Sequence, residues 1–352
     1  MLSATSDSVV TVDYGTAADT ATEGTDYTAV LGTLTFDAGS TSQTVSVTVH
    51  GDGVYEEDDT FFVDLTAPSG AVLDDAQGVA AISNDDGAPT IDVVDVTVTE
   101  GEDVTLTVTL SNASDAATTV DYATSDDTAA AASDYAAAAG TLTFVAGETT
   151  LSVTVTTAAD AVNETDETFV LTLSAASGGS LGQSAAVATI VDDDDLLVTV
   201  DDVTVMEDDA ATPSATFTVT MSGVSEQTVT VDYTTSDGEA VAGEDYTAAS
   251  GTLTIVPGAT SATVDVDILS DDIAEDTETF GLTLSNVVAR GLAFGADLGT
   301  ASIVDDDSLT ISASDAEITE GDSADVALIF PVSLSRASSS VVTVDYVLSE
   351  GG

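Results

Sequence analysis

The chain has 352 residues, of which 64 are acidic and two, Arg290 and Arg336, carry positive charge, for a formal net charge of −62 at pH 7. Such a charge repels a phosphate backbone and excludes nucleic acid as a partner, and it opposes compaction unless salt or bound cations offset it. Cysteine is absent, which removes disulfides, thiol catalysis and cysteine-bound zinc, and the single histidine, His50, removes a multi-histidine metal site.

Hydrophobic residues make up 43% of the chain, enough for packed cores, and they are mainly Val, Ala, Leu and Ile among abundant Thr. With turn signals at short intervals, this composition reads as all-β. No run of about 18 apolar residues occurs, so no direct membrane insertion is expected. The opening MLSATSDSVV has neither a charged n-region nor an apolar h-region, so no signal peptide is read there.

Taken in chain order, the elements repeat. The tripeptide VDY occurs at Val12–Tyr14, Val120–Tyr122, Val231–Tyr233 and Val344–Tyr346, and GTLT follows at Gly32, Gly140 and Gly251. Alternating strands come next: Val45, Val47, Val49; Leu151, Val153, Val155; Val264, Val266, Ile268. An acidic block then opens a further strand, as EEDDTF at Glu56, ETDETF at Glu164 and EDTETF at Glu275. Each unit closes on an acidic run, NDDG at Asn84, DDDD at Asp192 and DDD at Asp305. A period of about 110 residues is that of a domain, not of a solenoid coil. One apolar and one polar face per strand means two sheets packed face to face, and about seven strands per unit give an immunoglobulin-like β-sandwich.

The boundaries fall at the acidic runs. They give a partial first repeat, 1–87, that lacks its opening strands; complete repeats at 88–195 and 196–307; and a partial fourth, 308–352, that holds opening strands only, at Leu309–Ile311, Val326–Leu334 and Val341–Val347. Acidic runs pass directly into the next strand, so an elongated array with little freedom between repeats is expected. The tyrosines of VDY, including Tyr346, read as sheet or core residues, and the two arginines as surface ion-pair partners. Asn112 and Asn163 match a glycosylation sequon, a pattern that arises often by chance.

The acids hold fixed spacing. Twenty-six residues separate Asp26 from Asp52, Asp134 from Asp160 and Asp245 from Asp271, and a glutamate follows four later at Glu56, Glu164 and Glu275. Another acid lies three further on at Asp59, Glu167 and Glu278, while Glu100, Glu207 and Glu320 open the later units. This places carboxylates at strand ends and loops, at one tip of each sandwich. Two unit charges about 4 Å apart repel by roughly 4 kcal/mol at an effective dielectric of about 20. Hard oxygen donors select Ca²⁺, with Mg²⁺ second because it demands tighter octahedral geometry. The competing reading is a solvated acidic surface copied by duplication.

VDY, the DY pair, GTLTF, the D-x-x-x-E-x-x-[DE]-TF block and the terminal DDD together resemble the Calx-beta domain, across essentially the whole chain. The resemblance implies a seven-stranded sandwich that binds Ca²⁺ at one tip. It implies ligands Asp26, Asp52, Glu56, Asp59, Asp85 and Asp86 in the first repeat, where Asn84 replaces an acid. In the second it implies Glu100, Asp134, Asp160, Glu164, Glu167, Asp192, Asp193 and Asp194. In the third it implies Glu207, Asp245, Asp271, Glu275, Glu278, Asp305, Asp306 and Asp307.

The expected function is a calcium-rigidified structural module of a long extracellular or cell-surface protein, of the bacterial adhesin type, with neighbouring repeats as its contacts. The alternatives are a regulatory calcium sensor of a larger membrane protein, or an acidic spacer with degenerate sites. A carboxylate-pair glycosidase is disfavoured, since Trp is absent and aromatics are 5%; no enzyme is expected. Head-to-tail association through the incomplete end repeats is a further possibility, by strand addition.

Overall fold

The computed structural model describes residues 1–208 and 212–349, and every regular element among them is a strand. The chain falls into two compact units, residues 1–159 with 167–190, and residues 160–166 with 191–352.

In the first unit, the first repeat forms β1 (Val10–Ala18), β2 (Leu31–Phe36), β3 (Asp59–Ser69) and β4 (Gln77–Ile82), one antiparallel sheet in the order β2-β1-β3-β4. The second repeat forms β5 (Thr90–Val93), β6 (Val96–Thr99), β7 (Val104–Leu110), β8 (Thr118–Asp126), β9 (Ala139–Phe144) and β10 (Thr150–Val155). It continues through β11 (Val162–Asn163), which belongs to the second unit, and then β12 (Glu167–Ser177), β13 (Ser180–Leu181) and β14 (Ala185–Val191). Two sheets result, β10-β7-β5-β13 and β6-β14-β12-β8-β9. Six strands of six or more residues, with the four-residue β5 and β6, carry this sandwich, and the inward residues Leu106, Val108, Val120, Phe144, Phe169 and Leu171 are fully buried.

In the second unit, the third repeat follows the same plan. It comprises β15 (Leu196–Val200), β16 (Val203–Met206), β17 (Ser214–Met221), β18 (Val224–Ser225), β19 (Val229–Asp237), β20 (Ser250–Ile255) and β21 (Ser261–Asp267), then β22 (Ile273–Ala274), β23 (Glu278–Val288), β24 (Leu292–Ala296) and β25 (Leu298–Val304). Its sheets are β21-β17-β15-β24 and β16-β25-β23-β19-β20. The last repeat contributes β26 (Ile311–Ala313), β27 (Val332–Leu334) and β28 (Ala337–Ser338).

Each repeat marker has a packing reason. The VDY tyrosine lies opposite the glycine of GTLT, Tyr122 with Gly140 and Tyr233 with Gly251. A Cβ on Gly140 would stand 2.9 Å from the Tyr122 hydroxyl, so the ring needs a glycine there. The DY tyrosine is buried and stacks on the phenylalanine of the acidic block, with ring centroids 4.3 Å apart for Tyr27–Phe61, 4.2 Å for Tyr135–Phe169 and 4.1 Å for Tyr246–Phe280. These stacks tie the Asp before the tyrosine to the acids before the phenylalanine.

Two expected strands are not made and a third is made only in part. The alternating segment Val45–Val49 forms no strand, only a bridge from Val49 to Tyr27. Its counterparts β10 and β21 pair with β7 and β17, and the first repeat has no such partner. Val341–Val347 also forms no strand and Tyr346 is exposed, because the strands that flank β8 and β19 have no equivalents after it. Of Val326–Leu334 only β27 is regular, paired with β26.

Phe280 is buried and stacked, so Phe280→Ala is expected to lower the stability of the third repeat by about 3–5 kcal/mol. Chemical denaturation of the full chain reads this as an earlier transition of that repeat.

Candidate metal centre

The third repeat gathers its acids from four separate elements. Glu207 follows β16 and is nearly buried, its Oε1 accepting the Asp271 N–H at 2.9 Å. Asp245 closes the turn before Tyr246 by accepting the Val241 N–H at 2.7 Å. Asp271 accepts the Ile273 N–H at 2.7 Å, which shapes the loop that leads to Glu275. Glu278 starts β23 opposite Ile303, and Asp305 follows β25. Carboxylate oxygens of Asp245, Glu275 and Glu278 lie within 4.8 Å of one another. Together with Glu207, Asp276 and Asp305 they line a cleft of about 10 Å³, room for one small sphere. Asp306 is exposed, and Asp307 is buried against Arg336, with which it pairs; neither lines this cleft.

No basic side chain is among the cleft's lining residues, and the protonation equilibria reflect this. Burial, then the charges of Asp245 and Glu275, push the Glu278 carboxyl up to about 7. Burial followed by Asp245 and Asp271 raises Glu275, and burial raises Glu207. One oxygen of Asp305 is buried and accepts no hydrogen bond among the described residues. An all-carboxylate donor set with an unsatisfied buried oxygen fits a hard cation such as Ca²⁺. Asp276 was not legible in the sequence, because that position reads Glu57, Thr165 and Asp276 in the three repeats.

The first repeat brings all its expected acids to one cleft. Asp26, Asp52, Glu56, Asp59, Asp85 and Asp86 line it with Asn84, Glu57 and His50, around about 220 Å³. It is wider than the third repeat's cleft, since no counterpart of β16 and Glu207 closes it. Burial, then Asp26 and Asp52, raises Glu56.

The second repeat's acids divide between the units. Glu100, Asp134 and Glu167 belong to the first, where Asp134 accepts the Ala130 N–H at 2.6 Å and Glu167 starts β12. Asp160, Glu164, Asp192, Asp193 and Asp194 belong to the second. There Asp160 accepts the Val162 N–H at 2.7 Å and Asp192 accepts the Glu164 N–H at 3.1 Å. Burial raises Asp192 and Asp194, the latter also through Asp193 and Asp160, and one Asp194 oxygen is buried with no hydrogen bond among the described residues.

Residues beside the acids bind successive repeats. Tyr55 bridges Ser114, β11 pairs with β18, and β22 pairs with β28. In each case the residue before the block glutamate lends its carbonyl to the next repeat: Tyr55 to Asp115, Asn163 to Glu226 and Ala274 to Ser339. Asn163 is fully buried, and its amide donates to the Asp194 carbonyl at 2.7 Å, so this sequon is sterically closed. Both arginines form ion pairs beside these loops, Arg290 with Asp166, and Arg336 with Asp272 and Asp307.

The Calx-beta domain model matches residues 1–87, 83–195 and 192–307. The chain belongs to the Calx-beta domain family. Domains of this family bind Ca²⁺ and occur in sodium/calcium exchangers and related proteins; the family is a regulatory and structural one rather than an enzymatic one. The chain is similar to sodium/calcium exchanger 3 of Homo sapiens, 46% identical over 65 residues, which are 18% of this chain and 7% of the exchanger. It is also similar to sodium/calcium exchanger 1 of Canis lupus familiaris, 48% identical over 60 residues, 17% of this chain and 6% of the exchanger. The matched segments thus span less than a tenth of those relatives. Among solved structures, the CBD12 structure from CALX1.2 is 21% identical, covering 61% of this chain and 99% of that one at a TM-score of 0.30. No helix among the described residues is long and apolar enough to cross a membrane.

The raised carboxyls set the sign of a pH dependence. Glu278 in the folded, metal-free chain holds its proton up to about 7, against an ordinary 4.5, so the folded state binds more protons in that window. Stability therefore falls as pH rises from 4.5 to 7. Tyr hydroxyls hold Asp126 and Asp237 below their ordinary value, and this opposite contribution is lost only at more acid pH. Metal-free melts of the full chain in chelator are expected to show a third-repeat transition that moves down steadily between pH 5 and pH 8.

Proposed function

We propose that the chain is a calcium-binding structural segment of a long extracellular or cell-surface protein, serving adhesion or another surface contact. In this reading Ca²⁺ neutralises the acids at each tip and stiffens the passage from one repeat to the next. The observation that carries it is the convergence of Asp245, Glu275 and Glu278 within 4.8 Å, beside the buried Asp305 oxygen. The loop that holds Glu275 also forms β22 with the following repeat, so filling the cluster orders the junction residues. Likewise Asn163 joins Asp194 to Ser225. The ligands are proposed as Asp245, Glu275, Glu278, Asp305 and Glu207 in the third repeat, with Asp26, Glu56 and Asp59 at the matching places in the first.

The exchanger relatives favour a second reading, a regulatory calcium sensor of a larger membrane protein. The two differ in affinity. A structural module suits a Kd of about 10⁻⁴–10⁻³ M, while a sensor needs about 10⁻⁷–10⁻⁵ M.

Glu278→Gln separates charge from shape. It removes repulsion in the metal-free state and a ligand in the bound state. The variant is expected to melt higher than the parent in chelator and to gain little from calcium. The parent should gain about 2.7 kcal/mol when calcium exceeds its Kd a hundredfold. Calorimetric melts at pH 7.5 with calcium and with chelator check both arms; a parent melt that ignores calcium contradicts the reading.

A further inference from the structure

We propose that the third repeat bears tension along the chain: β16 and β25 form a clamp loaded in shear, and a cation in the cleft lined by Glu207 and Asp305 locks its end. The cation part of this proposal rests on the calcium reading above; the clamp does not.

The strands that meet are the ones a load reaches. β15 and β16 open the repeat and β25 closes it, so a pull along the chain acts on them from opposite ends. β15 lies in the other sheet, parallel to β24, and only Asp201 and Asp202 separate it from β16. Stretching β15 out therefore passes the load to β16. β16 runs parallel to β25, with Val203 opposite Ala301, Thr204 opposite Ser302, Val205 opposite Ile303 and Met206 opposite Val304. A backward pull on the start of β16 and a forward pull on the end of β25 slide one strand along the other. The hydrogen bonds of a parallel ladder are evenly spaced between its strands, so sliding loads them together. A hairpin opened from its ends would lose its bonds one at a time.

Further groups extend this patch at both ends. At its start Asp202 Oδ1 accepts the Thr300 N–H at 2.8 Å. At its end the Glu207 N–H donates to the Val304 carbonyl at 2.9 Å. Val203 and Val205 pack on the core, and Ala301 and Ile303 are buried in it, so neither strand peels away without exposing apolar surface. The second repeat has the same neighbours, β6 beside β14, and there Asp95 Oδ1 accepts the Val187 N–H at 2.8 Å.

The end of the patch is the cleft itself. Glu207 is the first residue after β16, Asp305 is the first after β25, and both line it. Like charges that close two neighbouring strands repel, so without a cation this end of the clamp is the weaker one. A cation reverses the sign. Glu207 moves with β16 and Asp305 with β25, while Asp245, Glu275 and Glu278 stay with the rest of the sandwich. Sliding the strands then also requires the cation to lose an oxygen donor. Glu207 is braced for that load by the Asp271 N–H on its Oε1, and Asp305 offers a buried oxygen with no hydrogen bond among the described residues.

Constant-force extension of the full chain, held by handles at its two ends, tests the proposal. The chain has no cysteine, so Met206→Cys with Val304→Cys, at positions opposite one another, identifies the third repeat. Oxidation should remove one unravelling step, and reduction should restore it. In the parent that step should last about tenfold longer in calcium than in chelator, the change that about 1.4 kcal/mol of barrier makes. Glu207→Gln, at calcium concentrations that titration calorimetry shows to saturate the remaining acids, should bring the lifetime down to the chelator value. Asp202→Ala, which alters no cleft acid, should shorten the step in both solutions. Thr252→Ala, in β20 at the other edge of the same sheet, should change it in neither. Calcium heat with equal lifetimes in the two solutions overturns the lock. An Asp202→Ala lifetime equal to the parent's in chelator overturns the clamp. Absence of calcium heat would sink the calcium reading, and the chelator lifetimes would still decide the clamp.

Discussion

Two carboxylates 4.8 Å apart repel by about 3.5 kcal/mol at an effective dielectric of about 20, and three of them meet at that range in the third repeat. They meet because each is tied to a different part of a rigid sandwich. Asp245 is fixed by its turn and by Tyr246, which stacks on Phe280; Phe280 lies in β23, which Glu278 begins. Core packing thus imposes a charge arrangement that the acids alone would not adopt. The raised Glu278 is the local response, a proton standing where a cation can stand. The calcium reading of this chain follows from that opposition between apolar packing and like charge.

The same constraint explains where the two positive side chains sit. With 64 acids in the chain, a lone arginine could pair almost anywhere. Arg290 and Arg336 instead lie beside the loops that carry the block acids, on Asp166, Asp272 and Asp307. Those loops form the short parallel bridges to the following repeat. Exposed ion pairs contribute little on their own. Asn163 adds a buried tie at one such loop, reaching Asp194 on one side and Ser225 on the other. A residue beside the acidic cluster and a residue of the next repeat therefore share one hydrogen-bonded unit.

The fold was legible because its signals are local and repeated. Alternation in Phe169, Leu171 and Leu173 specifies one buried face, and the structure buries all three. Fixed spacing put Asp245, Glu275 and Glu278 at one place, and they converge. What alternation cannot report is whether a partner strand exists. Val45, Val47 and Val49 have the pattern of β21 without its neighbour, and they form no strand, only a bridge from Val49 to Tyr27. Spacing also could not separate Asp305 from Asp306 and Asp307, since adjacent residues after a strand turn different ways. Asp305 lines the cleft, and Arg336 takes Asp307. Nor could it find Asn163, whose role depends on Ser225 and Asp194, far apart in sequence.

The central claim is that a cation replaces protons at carboxylates held together by the core. Calorimetric titration of the full chain with calcium, run near pH 6.5 in two buffers of different ionisation enthalpy, reads cation binding and proton release together. The account predicts saturable binding with release of a substantial fraction of a proton, reduced in Glu278→Gln and vanishing toward pH 8.5. Absence of binding heat in both buffers, or binding with no proton release at the lower pH, would contradict it.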